Sequence, residues 1–332
     1  MNTPSHSFYQ GKRFLVTGGT GFIGRALVKS LLKKGAFVRS LDNDSRGSRE
    51  KLGIIADHVE LITGDIRDLD VVKKAVHGMD CVCHLAYING TEFFYTKPEL
   101  ILEVAVKGMM NVLDACIAEN VKQLVLASSS EVYQTPQVIP TDESAALVVP
   151  DVLNPRFSYG GGKIISELLA VNYGRKFFDR MIIFRPHNVY GPDMGREHVV
   201  PQFAFRMKEA IEKQPTGKID FNIQGSGEET RSFIFIDDFS NALLTVIEKG
   251  EHLNVYHIGT EEEISVKNLA TLVASVCDRE INIIPGRLLQ GSTIRRCPNT
   301  NKLRSLGFEQ ETDMQSGIKQ TVKWYLNINN SK

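Results

Sequence analysis

The feature that most restricts how this chain can fold is a glycine-rich turn between a short apolar run and an amphipathic segment. Residues 13–17, RFLVT, are strand formers, and Gly18, Gly21 and Gly24 follow them at three-residue spacing in TGGTGFIG. Behind the turn, RALVKSLLKKG has apolar residues at helical spacing, and AFVRSLD has the pattern of a second strand. This order predicts one β-α-β unit with parallel strands.

The position of the three glycines predicts a binding site for a dinucleotide. A pyrophosphate group needs backbone N–H groups at the N-terminus of a helix and no side chains in its way. Glycines at a turn from strand to helix provide both, and Phe22 and Ile23 lie within the same motif. Glycines also serve ordinary turns, so the flanking strand and helix patterns decide in favour of the binding site.

Two carboxylates indicate which dinucleotide is bound. Asp42 ends the second strand, where it can accept hydrogen bonds from both hydroxyls of the adenosine ribose, which selects NAD. Arg39 and Arg46 lie close in sequence to Asp42, so a cofactor that carries a 2′-phosphate stays an alternative. Asp65, in TGDIRD, can either meet the adenine or cap a helix. The predicted cofactor-binding set also contains Asn43, Ile66, Leu85 and Ala86.

Strand and helix patterns alternate through the first half of the chain and predict an α/β fold. HVELITGD, DCVCHLA, QLVLASSS and MIIFRP read as strands, and helices are expected near Leu100–Glu119 and after Pro155. This order favours a Rossmann-type, doubly wound parallel sheet. Because 332 residues are many for one core, we expect an NAD-binding domain over residues 1–180, with a returning segment near 225–250. A smaller α/β substrate-binding lobe is expected over 181–332.

Composition excludes some partners. Lys plus Arg and Asp plus Glu both number 39, so no overall basic field favours a nucleic acid or an anionic membrane. No apolar run reaches the roughly 18 residues of a membrane span, and the first residues lack the apolar core of a secretory signal. The five cysteines have no zinc-ligand spacing, so we expect no metal and a reduced, cytoplasmic protein.

A tyrosine, a lysine and a serine suggest oxidation chemistry. Tyr159 and Lys163 stand four residues apart on a predicted helix and therefore face the same way. A phenol has an ordinary pKa of about 10, and a neighbouring ammonium together with a positive nicotinamide ring would favour its phenolate. Ser128, Ser129 and Ser130 end a strand at the sheet edge where such enzymes place their chemistry. One of these hydroxyls suffices to hold a substrate hydroxyl.

Several ordered motifs resemble one family along nearly the whole chain. TGGTGFIG, LDN, GDIRD, HLAY, SSSEVY, YGGGK, FRPHNVYGP, GSGEETRSFIFIDD and RRCPNTNKLRSLGF are similar to the extended short-chain dehydrogenase/reductases that act on nucleoside diphosphate sugars. The resemblance implies that Ser129, Tyr159 and Lys163 form the catalytic triad and that the enzyme is a homodimer. It also implies substrate contacts by Ser129 and Ser130, and diphosphate contacts by the side chains of Asn188, Arg231 and Arg296.

The resemblance leaves the reaction open among three outcomes of oxidation at C4 of the sugar. An epimerase needs little beyond the triad and room for the 4-keto sugar to turn, and we expect 4-epimerisation. A 4,6-dehydratase commonly uses an Asp-Glu pair where this chain has Ser130-Glu131, so Glu131 alone would serve two proton transfers. Ser-Glu-Val-Tyr also resembles sugar-acid decarboxylases. A non-catalytic dinucleotide-binding protein is the alternative of another class.

Three positions depart from the family pattern. The family often has asparagine at the position of Ala105 and glycine at the position of Gln134. The residue beside the nicotinamide, which is commonly aromatic, is His187 here. A packing role is expected for His187, because the tyrosine already serves as the base.

Overall fold

The computed structural model describes residues 7–287 and 293–327. In these residues the strands are β1 (Arg13–Thr17), β2 (Phe37–Asp42), β3 (Val59–Thr63), β4 (Cys81–His84), β5 (Gln123–Ala127), β6 (Arg180–Pro186), β7 (Val189–Tyr190), β8 (Ile219–Asn222), β9 (Thr230–Ser232), β10 (Ile234–Phe235), β11 (Asn254–Ile258), β12 (Glu263–Ser265), β13 (Ile281–Ile284) and β14 (Arg295–Arg296).

The helices of the same residues surround these strands. They are α1 (Phe22–Lys33), α2 (Arg49–Leu52), α3 (Leu69–Val76), α4 (Thr91–Thr96), α5 (Pro98–Glu103), α6 (Met109–Ala118), α7 (Ser158–Phe177), α8 (Val199–Lys213), α9 (Ile236–Lys249), α10 (Val266–Val276), α11 (Asn301–Ser305) and α12 (Met314–Asn327). Short 3₁₀ turns at 53–58, 130–133 and 155–157 connect some of them.

Seven parallel strands form the large sheet, in the order β3-β2-β1-β4-β5-β6-β11. The chain starts in the middle of the sheet, at β1, and winds outward in both directions. The predicted α/β fold with a doubly wound Rossmann-type sheet is therefore confirmed. In such a sheet a ligand binds outside the carboxyl ends of the strands where the winding direction changes, here between β1 and β4.

Both faces of the large sheet are buried, because alternate residues of each central strand point to opposite sides. On β1, Phe14 and Val16 join one apolar cluster, which includes residues of α1 and α9, while Leu15 joins another cluster with residues of α3 and α6. The first cluster continues without a break into the smaller lobe, where Phe203 of α8 packs on Phe221 of β8. The two lobes therefore share one apolar core.

The smaller lobe consists mainly of α8, α10 and α12 with short sheets. One sheet has the order β12-β9-β14, and β13 pairs in parallel with β8. Two segments from the predicted second range lie in the large sheet, namely β6 and β11, and α9 packs against α1. The domain boundary at residue 180 stays a prediction; β6 starts at this position, and β9 within the returning segment 225–250 belongs to the smaller lobe.

The helix expected near Leu100–Glu119 contains a change of pitch. Its central part, Val104–Gly108, is a π-helical turn between α5 and α6. A Cβ on Gly108 would stand 2.4 Å from Cδ1 of Ile66, so this turn lies directly against the loop that follows β3. A single π turn of this kind is commonly found beside functional sites.

Candidate active site

One cavity of about 550 Å³ lies at the carboxyl edge of the large sheet, at the point where the winding direction changes. It extends from the glycine turn to the end of β5 and the start of α7. The cofactor-binding residues predicted from the sequence all line it, namely Gly18, Gly21, Phe22, Ile23, Gly24, Asp42, Asn43, Asp65, Ile66, Leu85, Ala86, Tyr159 and Lys163. The structure thus brings these residues together; the contact that each makes with a cofactor stays a prediction.

The glycine turn has the shape of a phosphate cradle. A Cβ on Gly24 would stand 2.0 Å from the carbonyl oxygen of Gly18, so only glycine lets α1 start this close to the strand. Gly21, in contrast, has only one atom within 4 Å of such a Cβ, at 3.4 Å, and its side faces open space. No side chain caps the N-terminus of α1, whose positive end faces the cavity. The residues present fit a dinucleotide pyrophosphate.

Asp42 is held in place at the end of β2 by backbone donors. One carboxylate oxygen accepts the N–H of Thr20 at 3.0 Å and the other accepts that of Asp44 at 3.0 Å. Each oxygen keeps a further lone pair for a ribose hydroxyl. Arg39 does not line the cavity, because it pairs with Glu60 at 2.9 Å and donates to the last carbonyls of α3. It is therefore not placed to receive a 2′-phosphate.

Asp65 does not cap a helix. The N-cap of α3 is Asp68, whose carboxylate accepts the N–H groups of Asp70 and Val71. Asp65 instead pairs with Arg67 at 2.8 Å, and hydrogen bonds from Arg67 lower the pKa of this carboxyl to about 2. It remains charged at the cavity wall, and an adenine contact stays a prediction.

Arg46 reaches across the mouth of the cofactor half. It pairs with Glu197 in the loop between β7 and α8. In the same loop Asp193 pairs with Arg25 of α1 and lies 3.8 Å from the Nζ of Lys51. These ion pairs, which we call the cleft ion pairs, connect the first lobe to the loop 191–198. These ion pairs could not be predicted from the sequence, because their partners are far apart along the chain.

Tyr159, Lys163 and Ser129 converge at the inner end of the cavity. Tyr159 and Lys163 project from the first turns of α7, and Ser129 follows β5. Ser129 and Tyr159 both line this part of the cavity, and the Ser129 hydroxyl favours the ionised form of the phenol. The Lys163 Nζ donates to the carbonyl of Ala127 at 2.7 Å and lies 3.6 Å from the centre of the Tyr87 ring. The three side chains are thus neighbours, as the spacing of the motifs predicts.

Burial shifts the pKa values of Tyr159 and Lys163. Burial raises the pKa of Tyr159 to about 12, although the hydrogen bond from Ser129 opposes the rise. Burial also lowers the pKa of Lys163 to about 7, although the carboxylate of Glu167 opposes the fall. In the chain alone, the phenol is therefore neutral near pH 7, whereas the amine titrates close to neutrality. A positive ring placed beside Tyr159 would shift the phenol toward its phenolate.

Glu131 is engaged by an arginine from the other lobe. Its carboxylate accepts from Nη1 of Arg296 at 2.5 Å, and both residues line the cavity. Burial raises the pKa of Glu131, but the guanidinium groups of Arg296, Arg156 and Arg231 bring it below its ordinary value. Ser130, which precedes it, is buried and also lines the cavity. Glu131 is therefore an ion-paired carboxylate rather than a free acid.

The side chains of two predicted substrate-binding residues donate hydrogen bonds to backbone carbonyls of the protein. Asn188 lines the cavity, with its side-chain amide donating to the carbonyl of Ser232 at 2.8 Å. Arg231 does not appear among the residues that line the cavity, and its guanidinium donates to the carbonyls of Thr230, Thr293 and Ile294. A contact between Arg231 and a diphosphate would require these bonds to be exchanged, and its role stays a prediction.

Arg156 was missed by the sequence reading. It lies in the 3₁₀ turn before α7 and lines the cavity, and among the described residues its Nε is buried without a hydrogen-bond partner. Its position three residues before Tyr159, in the turn that leads into α7, was the available signal. Tyr87 and Phe94 were also missed; their rings contact Tyr159 at centre distances of 5.2 and 5.0 Å.

The departures from the family pattern have structural explanations. Gln134 adopts a left-handed backbone with φ of 54°, a conformation that favours glycine, and its side chain donates to the carbonyl of Glu131 at 2.6 Å. Ala105 lies in the π turn, where its carbonyl accepts from Ser166 at 3.1 Å. His187 is fully buried against His257, and neither ring nitrogen has a partner in the described residues. Its predicted packing role is consistent with this placement.

Comparisons with known proteins agree with this geometry. The sequence profile of the NAD dependent epimerase/dehydratase family matches residues 14–259, and the chain belongs to this family. A putative UDP-glucose 4-epimerase of Methanocaldococcus jannaschii is 30% identical, with 95% of this chain and 99% of the relative covered. A UDP-N-acetyl-alpha-D-glucosaminuronate decarboxylase of Bacillus cytotoxicus is 27% identical, with 96% and 99% covered.

A solved structure supports the same assignment. The UDP-glucose 4-epimerase of Thermus thermophilus in complex with NAD superposes with a TM-score of 0.83 at 26% identity, covering 95% of this chain and 99% of that one. The predictions of an enzyme, of its family and of NAD as cofactor are thereby confirmed. Nucleotide sugars are the substrates of the group to which the chain belongs.

In residues 7–287 and 293–327, no group of three or more His, Cys, Asp or Glu side chains is placed to hold a metal ion. Every helix in this part of the chain is too short or too polar to cross a membrane.

Proposed function

We propose that this enzyme oxidises C4 of a nucleoside diphosphate sugar and returns the hydrogen to the other face, so that the net reaction is 4-epimerisation. The observation that supports this best is the meeting of Tyr159, Lys163 and Ser129 in one cavity with the glycine cradle, while Glu131 is ion-paired. An epimerase needs the triad and space for the keto sugar to turn. It needs no second free acid or base.

Each residue of the triad has a defined task in this proposal. Ser129 holds the C4 hydroxyl by a hydrogen bond, and Tyr159 takes the hydroxyl proton at its phenol oxygen. Lys163 stabilises the phenolate by its charge and would bind the nicotinamide ribose. NAD, when bound, would supply the hydride acceptor for C4 and, once reduced, the hydride donor for the return step. The buried walls formed by Tyr87 and Phe94 exclude water from the keto sugar.

Elimination of water is less well supported by this arrangement. A 4,6-dehydratase has to protonate a leaving hydroxyl and to remove a proton from C5. Among the described carboxylates that line the cavity, Glu131 is the one next to the serine segment, and its pairing with Arg296 favours the charged form. Glu131 would have to leave Arg296 and gain a proton before it could act as an acid.

A second candidate, decarboxylation of a sugar acid, is favoured by Arg156. A sugar acid brings a C6 carboxylate in addition to the diphosphate, and this group needs a cation in the cavity. Arg156 lines the cavity, and the guanidinium makes no hydrogen bond or ion pair within the described residues. Glu131 is already compensated by Arg296, which leaves Arg156 for an anionic group of the ligand.

The decisive experiment incubates the enzyme with NAD and a panel of neutral and acidic nucleotide sugars and determines the product masses. An unchanged mass with an inverted C4 supports epimerisation, loss of water indicates dehydration, and loss of carbon dioxide indicates decarboxylation. Failure of every sugar to reduce the cofactor, even transiently, would refute the enzymatic proposal.

Comparison of Arg156→Met with wild type on acidic and neutral sugars tests the second candidate, since only acidic sugars should lose affinity.

We also propose a cytoplasmic homodimer. Apolar side chains on neighbouring helices are partly exposed, with Leu102 on α5 exposed by 38% and Leu168 on α7 by 59%. Pairing of α5–α6 and α7 with a second copy would bury them. All five cysteines are free thiols, which suits a reducing compartment. Analytical ultracentrifugation of wild type and Leu168→Glu tests the dimer, and cell fractionation tests the location.

A further inference from the structure

A buried ion pair lies directly behind the triad and takes no part in the chemistry described above. Arg185 of β6 donates to both carboxylate oxygens of Glu167 on α7, at 2.9 Å from Nε and 2.6 Å from Nη2. The two side chains are only 4% and 6% exposed. Burial of two charges is costly unless their hydrogen bonds are complete, so such a pair is often retained for positioning rather than for stability.

The pair is bonded to the strand-end segment on both sides of Ser129 and Glu131. The Ser128 hydroxyl, which precedes Ser129, donates to Glu167. Beyond Glu131, the Tyr133 hydroxyl accepts from Nη1 of Arg185, which also donates to the Glu143 carbonyl at 3.0 Å. The segment 128–133 is therefore anchored at its two ends by one ion pair.

The anchoring continues into the last strand of the sheet. The Tyr133 hydroxyl and Nε2 of His257 are 2.6 Å apart. Nδ1 of His257 lies 3.1 Å from the Asn299 carbonyl, which can only accept, so Nδ1 carries the proton of the neutral imidazole. Nε2 then accepts from the Tyr133 hydroxyl. We call Arg185, Glu167, Ser128, Tyr133 and His257 the Arg185 network.

Glu167 also faces the amine of the triad. It stands one helical turn after Lys163 on the same face of α7. The other groups facing Lys163 are Tyr159 on its own helix and His84 and Tyr87 from the end of β4. Burial lowers the pKa of Lys163, and Glu167 is the group that opposes this effect.

We propose that Arg185 and Tyr133 are positioning residues: through Glu167 they fix the segment of Ser129 and Glu131 against Tyr159 and Lys163. This inference rests on the proposed function for its kinetic consequence. The triad depends on the meeting of a strand end with a helix, and these two elements have no covalent connection near the site. Misplacement by a fraction of an ångström lowers the rate of a positioned reaction steeply.

Two variants test the positioning role and differ in their risk of unfolding. Arg185→Lys keeps the charge, but a single ammonium cannot reach both Glu167 and Tyr133. Tyr133→Phe keeps the buried ring and removes only the hydroxyl. In both, we expect kcat to fall by about tenfold or more, with KM for the sugar nucleotide and the affinity for NAD unchanged within about twofold.

The matched control is Arg180→Lys. Arg180 starts the same strand, and its guanidinium donates to the carbonyl of Gly250, away from the cavity. We expect wild-type kcat in this variant. Wild-type kcat in folded Tyr133→Phe would overturn the proposal, and so would an equal fall of kcat in Arg180→Lys, which would indicate a general effect of strand damage.

A measurement without turnover separates this proposal from the proposed function. In Glu167→Gln the pKa of Lys163 should fall further, as measured by NMR titration of the apoenzyme containing isotope-labelled lysine, with the Lys163 resonance assigned from Lys163→Arg. An unchanged pKa would overturn the involvement of Glu167. If wild-type enzyme oxidises no sugar of the panel, the proposed function fails, whereas this titration still decides about the Arg185 network.

Discussion

The two halves of the cavity are built in different ways. The cofactor half consists of one β-α-β unit and the loops that follow β2, β3 and β4, so its shape comes from backbone close in sequence. The substrate half joins the end of β5, the start of α7 and residues of the smaller lobe, among them Arg296, which is 165 positions from its partner Glu131. One half is formed by a local motif, and the other by side chains that only the complete fold brings together.

This difference decides which amino-acid substitutions each half can tolerate. In the cofactor half a single backbone feature, the close approach of Gly24 to Gly18, decides whether the cradle exists. In the substrate half the positions are set by ion pairs, and a change of one partner leaves the other charged and unpaired. We therefore expect substitutions in the cofactor half to affect cofactor affinity alone, and substitutions in the substrate half to couple binding with stability. The following predictions test this contrast.

The largest expected effect concerns Lys163, where the two halves meet. Burial lowers the pKa of Lys163 from 10.5 to about 7, so between these values the unfolded chain binds a proton that the folded chain lacks. The free energy of unfolding of the apoenzyme should rise with pH across this window, by an amount on the order of 4 kcal/mol. Urea unfolding of wild type and Lys163→Met at several pH values isolates the contribution. A pH-independent difference would show that Lys163 is not desolvated.

Tyr159→Phe should lower kcat by roughly a hundredfold or more, because the ring still packs against Tyr87 and Phe94 while the phenol oxygen is lost. The affinity for NAD, measured by calorimetry, should stay within about twofold, since the ring contributes no charge. Tyr95→Phe, on the exposed side of α4, is the matched control. Near-normal turnover of Tyr159→Phe would remove this residue from its proposed role.

Arg231→Ala should lower the free energy of unfolding by about 2 kcal/mol, because three backbone carbonyls lose their donor. Thermal or urea unfolding measures this loss. Arg295→Ala, which removes an exposed arginine paired with Glu263 of β12, should cost less. Weakened sugar-nucleotide binding at unchanged stability would instead make Arg231 a substrate clamp and contradict the contrast between the halves.

The smallest effect is expected for Asp42→Asn in the cofactor half. Loss of the charge weakens hydrogen bonds to the ribose hydroxyls, and the affinity for NAD should fall by about tenfold. Calorimetry with NAD measures this change, and KM for the sugar at saturating NAD should not move. Asp44→Asn changes a neighbouring carboxylate that does not line the cavity. A similar loss in that variant would show a general effect of charge in this loop.

The cofactor half could be predicted from the sequence more completely than the substrate half. The β-α-β unit, the doubly wound sheet and the three glycines of the cradle follow from periodicity and glycine spacing, which act over a few residues. The other cavity-lining residues of the cofactor set follow from their positions at strand ends and on a helix and from the family motifs. The π turn at Val104–Gly108 was not predicted; it lies against Ile66, which is distant in sequence. The backbone contacts of Arg231 and the pairing of Glu131 with Arg296 likewise depend on residues distant in sequence.

The cleft ion pairs have a consequence for how the enzyme uses its cofactor. Arg25, Lys51 and Arg46 join the first lobe to the loop that carries Asp193 and Glu197, and both of these carboxylates line the cavity. The proposed epimerisation consumes and restores the oxidised cofactor within one cycle, so it requires no exchange of cofactor with solution. Because partly exposed ion pairs are screened by salt, we expect the dissociation rate of NAD to rise with ionic strength.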